Sequence, residues 1–194
     1  MAEVEGAVTL TTRLYHLSED PGIERFVPRV SSAEGRPLVW AVDAEHAYLY
    51  YFPRQCPRVT FQIAPSTTPD DIACFFGHTT ATRVAAIEAG WLAGMRETTV
   101  YRYELPPHGF ELLDAVAGYW VSSREVTPVA VEPVGDLMAA LTAEGVEVRV
   151  IPSLWPLYEA VVASSLGFSI IRWRNASPRP EAFQYFAEGK EAGT

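Results

Sequence analysis

Residues 99–133 decide the fold class, and they run TVYRYELPPHGFELLDAVAGYWVSSREVTPVAVEP. Short segments of apolar and aromatic side chains alternate with polar ones and are separated by prolines and glycines, a pattern typical of strands. The stretch predicts strands at Thr99–Leu105, Phe110–Leu113, Gly118–Ser122 and Thr127–Pro133. Strands dominate this middle part, whereas helical segments are interspersed irregularly around it. The sequence therefore predicts an α+β fold with a largely antiparallel sheet core and interspersed helices.

The flanking segments extend this prediction in both directions. Further strands are expected at Arg13–Leu17, Leu38–Val42, Arg58–Ile63 and Val146–Ile151. Helices are expected at Ala44–Phe52, Thr80–Met95, Asp136–Ala143 and Ser153–Leu166, and the acid pair Asp70-Asp71 favours another helix start. Neither a Gly-x-Gly-x-x-Gly nor a P-loop sequence occurs, so a doubly wound nucleotide-binding fold is not expected. We expect a flexible lead-in at 1–12, a single domain at 13–175 and a mostly solvated tail at 176–194.

Length and charge limit the class of partner. The chain has 194 residues, 48% of them apolar, which is enough for one domain with a sizeable core. Its net charge of −9 disfavours a nucleic-acid partner, because phosphate backbones are bound by basic surfaces. Six arginines balance six acidic residues between Arg13 and Arg58, whereas 100–150 carries three arginines against eight acids. Any anion-binding site is therefore expected in the first third of the chain.

The sequence offers little support for a metal or a membrane. Cys56 and Cys74 match no metal-ligand spacing, and the four histidines include no close pair, so no metal is expected. No apolar run approaches the roughly 18 residues of a membrane span. The N-terminal segment also lacks a basic region followed by an apolar one, which predicts a cytoplasmic protein without a membrane partner.

Candidate binding residues concentrate in the first predicted strands and helix. Strand alternation places Tyr15 and His16 on opposite faces, so His16 can present an imidazole from a sheet surface. Tyr50 and Tyr51 share roughly one helix face with other small or polar residues, and a flat ligand could lie between such rings. For each residue alone, ordinary packing in the core is the more frequent role.

Two further groups of residues suggest anion binding. Arg54 and Arg58, with Arg29, could hold a pyrophosphate by bidentate hydrogen bonds, although arginine is also simply the chain's usual cation. His78 and Thr79 precede the helix predicted at 80–95, where exposed amides could bind an anion. Ordinary capping of that helix by a threonine is the alternative for the second group.

Three blocks of sequence resemble an uncharacterised bacterial family, a domain of unknown function. The first is Leu14–Ile23, which includes Ser18; the second is Leu38–Asp43 with Tyr50–Arg54; and the third is Gly135–Leu137 with Ser153–Leu157. The resemblance covers roughly Arg13 to Asn175. It implies no activity.

The first two blocks also resemble, more distantly, the ADP-ribosyltransferase superfamily and its RNA 2′-phosphotransferase relatives. The pair Tyr15-His16 is similar to that superfamily's opening aromatic-His strand, and Trp40–Asp43 to its second strand. The resemblance implies that His16 holds the ribose attached to nicotinamide in NAD, while Trp40 and Tyr50 or Tyr51 stack on the ring. It also implies a late-strand glutamate. The best-matched strand, Gly118–Ser122, has none, and Glu125 and Glu104 are the nearest substitutes.

These observations lead to two expectations from different functional classes. The first is a protein that binds NAD or an ADP-ribose-type nucleotide in a cleft of histidine and aromatic side chains, with His16 and Glu125 as catalytic candidates for ADP-ribosyl transfer. The second is a non-enzymatic module that binds a small metabolite or a protein. An exposed aromatic patch of Tyr48, Tyr51 and Phe52 would favour a protein partner. RNA-end chemistry is a third possibility, disfavoured by the acidic charge.

Overall fold

The computed structural model describes residues 12–30, 34–115 and 117–180. The strands are β1 (Leu14–Ser18), β2 (Arg29–Val30), β3 (Pro37–Asp43), β4 (Arg58–Gln62), β5 (Arg83–Glu88), β6 (Tyr101–Leu105), β7 (Glu111–Asp114), β8 (Tyr119–Ser122), β9 (Ala130–Pro133), β10 (Val146–Ile151) and β11 (Gly167–Ile171). The helices are α1 (Pro69–Phe76), α2 (Leu92–Glu97), α3 (Leu137–Ala143) and α4 (Trp155–Val162), with 3-10 turns at Ala47–Tyr50, Ala89–Trp91 and Trp173–Asn175. Residues 1–11 of the predicted lead-in and 181–194 of the predicted tail lie outside the described residues.

In the described part of the chain, two mostly antiparallel sheets make up a single domain, which confirms the predicted α+β class. The first sheet has the order β7-β8-β3-β1-β6-β9, with β2 also paired to β3. The second has the order β10-β5-β4-β11, in which β10 and β5 run parallel. The other pairs among these strands are antiparallel.

The pairing of β1 is unequal on its two sides. β1 pairs with β6 along all five of its residues, but with β3 at only two positions, Leu14 opposite Asp43 and Tyr15 opposite Val42. Beyond Tyr15 the regular ladder between β1 and β3 ends. The first sheet therefore opens along this line, which is where the candidate site lies.

Because neighbouring side chains of a strand point to opposite faces, the apolar side chains of the first sheet form separate clusters on its two faces. Tyr15 and Val42 pack with Ala85 and Ile87 of the second sheet in a cluster that the two sheets share. Leu14 belongs to a second cluster on the opposite face of the first sheet. The predicted opposite orientation of neighbouring β1 side chains is thus confirmed.

The helix predicted at Thr80–Met95 is wrong in its first half, which is β5, whereas its second half is helical, with the 3-10 turn Ala89–Trp91 leading into α2. Four successive residues, Val84–Ile87, are completely buried. Ala85 and Ile87 join the cluster shared by the sheets, whereas Val84 and Ala86 face a third cluster against the other side of the second sheet. A strand buried on both faces has no polar positions, so its periodicity does not separate it from a helix.

The helix predicted at Ala44–Phe52 is also wrong, since only the 3-10 turn Ala47–Tyr50 forms there. Tyr48, Leu49, Tyr51 and Phe52 are all buried, a pattern that no one-sided amphipathic helix produces. Because these rings are in the core, they form no exposed aromatic patch of the kind expected for a protein-binding surface. The predicted helix start at Asp70-Asp71 is confirmed, as both lie in the first turn of α1.

Candidate functional site

A cleft of about 260 Å³ lies where β1 and β3 separate. Its walls come from six parts of the chain: β1 and the residue after it, β3, the segment from the 3-10 turn to the start of β4, the residue before β6, the start of β8, and the end of β11 with the residue after it. The aromatic and polar side chains that line it include Tyr15, His16, Ser18, Glu19, Trp40, Tyr50, Arg54, Arg58, Tyr119 and Arg172. Residues far apart in sequence therefore meet at one opening in the first sheet.

His16 occupies the gap left by the broken ladder. Its Nδ1 lies 2.9 Å from the carbonyl oxygen of Trp40. A carbonyl only accepts hydrogen bonds, so Nδ1 carries the proton and Nε2 of the neutral ring has an acceptor lone pair. Burial lowers the pKa of His16, partly opposed by the Trp40 carbonyl, and the charge of Arg54 lowers it further. The imidazole is therefore neutral at physiological pH.

Aromatic side chains form a wall of the cleft beside the imidazole. The rings of Trp40 and Tyr119 meet edge to face with centroids 5.8 Å apart. The Tyr50 hydroxyl donates a hydrogen bond of 2.9 Å to that of Tyr119, and burial raises the pKa of Tyr50. Tyr50 consequently stays protonated, and the two tyrosines together with the indole offer apolar faces with hydroxyls at the rim.

Arginines form the other end of the cleft. Among the described residues, Arg54, Arg58 and Arg172 line it together with one carboxylate, that of Glu19. With His16 neutral, the three arginines and the one carboxylate give the cleft lining a net charge of +2, whereas the whole chain has a net charge of −9. The Glu19 carboxylate accepts a hydrogen bond of 2.7 Å from the backbone N–H of Arg54, which fixes the loop after the 3-10 turn. The cleft is a local positive site in an acidic protein.

Arg58 is deeply buried, with only 3% of its surface exposed. Its guanidinium donates to the carbonyl oxygens of Leu49 at 2.8 Å and Cys56 at 3.1 Å. It also lies over the ring of Phe52, 4.7 Å from the centroid. Among the described residues no carboxylate forms an ion pair with it. Burial lowers its pKa to about 10, so the group is still charged at neutral pH.

Arg172 has a rare backbone conformation. At φ 57° and ψ 28° it is the one non-glycine residue with positive φ in the described ranges. L-residues avoid this left-handed region, and such outliers concentrate at functional sites. Its Nε donates to the carbonyl of Arg54 at 2.9 Å, and Asn175 Nδ2 donates to the carbonyl of Gln55 at 2.7 Å. The turn after β11 is thereby tied to the loop that holds Arg54.

The structure brings most of the residues predicted from the sequence to this cleft. Those that line it are Tyr15, His16, Ser18, Trp40, Tyr50, Arg54 and Arg58. The ones that it places elsewhere are Tyr51, His78, Thr79 and Glu125. Of the two tyrosines left open as ring partners, Tyr50 lies at the cleft.

The remaining predicted residues have other surroundings. Tyr51 is buried in the core, where its hydroxyl accepts a hydrogen bond from Arg102. Glu125 is exposed and pairs with Arg25 at 3.1 Å, so the expected catalytic carboxylate is not at the cleft. His78 is exposed and follows α1, and Thr79 Oγ1 accepts from the backbone N–H of Ala81 within a turn. The segment after them is β5, so no helix begins there to bind an anion.

Three polar residues at the cleft were not among the predicted ones. Glu19 directly follows β1, in a stretch of turn residues where an acidic side chain is common. The local sequence therefore does not indicate its hydrogen bond with the backbone of Arg54. Tyr119 lies in a correctly predicted strand, and its alternation could have placed it beside Trp40. Arg172 falls outside the first third of the chain, where an anion site was expected. Its approach depends on β11, a strand that was not predicted.

Comparison with known protein families agrees with part of the sequence-based expectation. A model of a family of unknown function, DUF6886, matches residues 15–176. The chain belongs to this family. No curated protein and no solved structure gives a significant match. The family match spans the residues named above as lining the cleft, and it names no activity.

Membrane-spanning helices and metal sites are two further features that the described residues bear on. No helix in the described ranges is long and apolar enough to cross a membrane. Within the same residues, no group of three or more histidine, cysteine or acidic side chains is placed to hold a metal ion.

Proposed function

We propose that the chain binds a nucleotide of the NAD or ADP-ribose type in the cleft between β1 and β3. The observation that carries this proposal is the meeting of His16, Trp40 and Tyr50 at one cleft, although they come from three separate segments. A neutral imidazole with a free acceptor suits a ribose hydroxyl, and the aromatic wall suits a flat base. Arginines suit the phosphates.

The size of the cleft limits how such a ligand is held. Pockets that enclose drug-sized ligands typically measure about 300–1,000 Å³, so about 260 Å³ is small for a whole dinucleotide. One ring with its ribose and a phosphate group fills such a space. The rest of a dinucleotide then extends into solvent.

Binding without turnover is the second candidate, and the carboxylates favour it. Glycosidic bond cleavage at the nicotinamide ribose develops positive charge at the anomeric carbon, which a nearby carboxylate stabilises. Glu125 is not at the cleft, and Glu19 already accepts a hydrogen bond from Arg54. Release of nicotinamide from NAD, measured by chromatography, separates the two candidates. A Glu19→Gln variant tests whether Glu19 takes the missing role.

Calorimetric titration with NAD and ADP-ribose tests the binding proposal directly. His16→Ala should weaken binding about tenfold or more, equivalent to about 1.4 kcal/mol, because it removes the imidazole that lines the cleft. His78→Ala is the matched control, since His78 is exposed and lies away from the cleft. No heat at millimolar ligand, or equal losses in the two variants, would remove the proposal.

A further inference from the structure

The arginine end of the cleft poses a separate question about charge. Arg58 is almost completely buried, yet its hydrogen bonds go to two neutral carbonyl groups. A buried cation ordinarily has an anionic partner, because desolvation is costly. Here a second cation lies close instead: Arg172 directly follows Ile171, which pairs with Arg58, and both arginines line the cleft. Within the part of the chain that the structure describes, positive charge is gathered at this point with no carboxylate paired to Arg58.

The strand register explains how Arg172 reaches Arg58. Ile171, the last residue of β11, pairs with Arg58, the first residue of β4. Arg172 therefore leaves the sheet directly beside Arg58. A right-handed or extended backbone would send the chain along another course; the left-handed turn at Arg172 instead directs it toward the Arg54 loop. The left-handed conformation of Arg172 and the clustering of the three arginines therefore belong to the same local structure.

We infer that Arg58 and Arg172, with Arg54 at the rim, form an oxyanion subsite for a phosphate-bearing ligand group that carries two negative charges. The charge of the group matches the +2 of the lining residues, and guanidinium groups bind phosphate oxygens in a bidentate manner. A phosphate monoester and the pyrophosphate bridge of a dinucleotide both supply this chemistry. The inference rests on the proposed function for the location of the ligand, and it adds Arg172 as a binding residue.

Arg172→Gly is the informative variant, because glycine adopts the left-handed conformation freely and the substitution removes the guanidinium. Arg174→Gly is its matched control: Arg174 lies in the same 3-10 turn, is exposed, and does not line the cleft. Thermal unfolding of both variants checks that they fold. Titrations use inorganic phosphate, inorganic pyrophosphate, adenosine, AMP and ADP-ribose as ligands.

The expected result is a loss of tenfold or more in affinity for the phosphate-bearing ligands in Arg172→Gly, with adenosine binding unchanged and Arg174→Gly equal to the wild type. Tighter binding of AMP than of ADP-ribose identifies a monoester, and the reverse order identifies a pyrophosphate. Equal affinities of Arg172→Gly and wild type for every phosphate-bearing ligand would overturn the inference.

The ligand panel separates this inference from the proposed function. If pyrophosphate binds and depends on Arg172 while adenosine and ADP-ribose do not bind, the oxyanion subsite stands and nucleotide binding fails. If adenosine, AMP and ADP-ribose all bind equally well, the base and ribose are recognised but the subsite is refuted. No binding of any ligand refutes both.

Discussion

Replacing His16 with asparagine should reduce the pH dependence of stability between pH 7.5 and 5.5. Asparagine suits this position because its side-chain amide takes about the place of Nδ1 and can still donate to the Trp40 carbonyl, 2.9 Å away in the wild type. The His16→Asn variant thus keeps the principal hydrogen bond. What it removes is the titrating group.

The sign of the effect follows from the lowered pKa of His16. Burial holds this pKa below 6.5 in the folded chain, and the charges of Arg54 and Arg29 add to the lowering. The unfolded chain therefore takes up a proton at a higher pH than the folded one, so stability falls as the pH drops below 6.5. While the folded form stays unprotonated, the loss reaches about 1.4 kcal/mol at one pH unit below 6.5.

Urea unfolding at pH 7.5, 6.5 and 5.5 measures this loss in wild type, His16→Asn and His78→Asn. The exposed-histidine control should follow the wild type, and His16→Asn should lose less free energy of unfolding than the wild type, by up to about 1.4 kcal/mol. Asp71 and Glu104 have lowered pKa values, so their contributions are lost only at more acidic pH. Identical pH profiles for all three proteins would refute the assignment of a buried, neutral His16.

Two further predictions concern residues beside the cleft. In urea unfolding, Gly118→Ala should destabilise the fold by about 1–3 kcal/mol more than Gly145→Ala. Both glycines have positive φ, so the backbone strain is common to the two variants. Of the two, only Gly118 would place a Cβ against another side chain, at 2.3 Å from His46 Nδ1. Equal losses would contradict that close approach. Tyr50→Phe should cost about 1 kcal/mol of stability, and adding Tyr119→Phe should cost little more, since the two hydroxyls share one hydrogen bond of 2.9 Å. Fully additive losses in this double-mutant cycle would argue against the shared bond.

The strands were the most predictable part of this fold. Two examples are the alternation along Tyr101–Leu105 and the buried apolar run around Val39. Such local patterns can be recognised from the sequence alone. The segment Val84–Ile87 was not, because burial on both faces removes the polar positions that distinguish a strand from a helix. The run of buried side chains around Ala47–Tyr50 misled the prediction in a similar way.

The candidate site also contains residues that could be predicted from the sequence and one that could not. His16, Trp40 and Tyr50 could be proposed as a group from their residue types and from an expected resemblance to the ADP-ribosyltransferase superfamily, which no match to a solved structure supports. The structure places the three side chains at one cleft. Arg172 could not, because its position follows from the register of β11 on β4 and from a left-handed conformation that arginine rarely adopts. Nothing in the local sequence around 172 signals either property.

The contact between Arg172 and the Arg54 carbonyl has a consequence for how the protein is made. These two residues are 118 positions apart. During synthesis from the N-terminus, the arginine end of the cleft therefore cannot form until Arg172 has been added to the chain. A nascent chain that has emerged only as far as α4 already contains β1 and β3 but lacks β11 to lie against β4. Affinity for a charged ligand should accordingly be acquired late, when β11 has been translated and has folded into place.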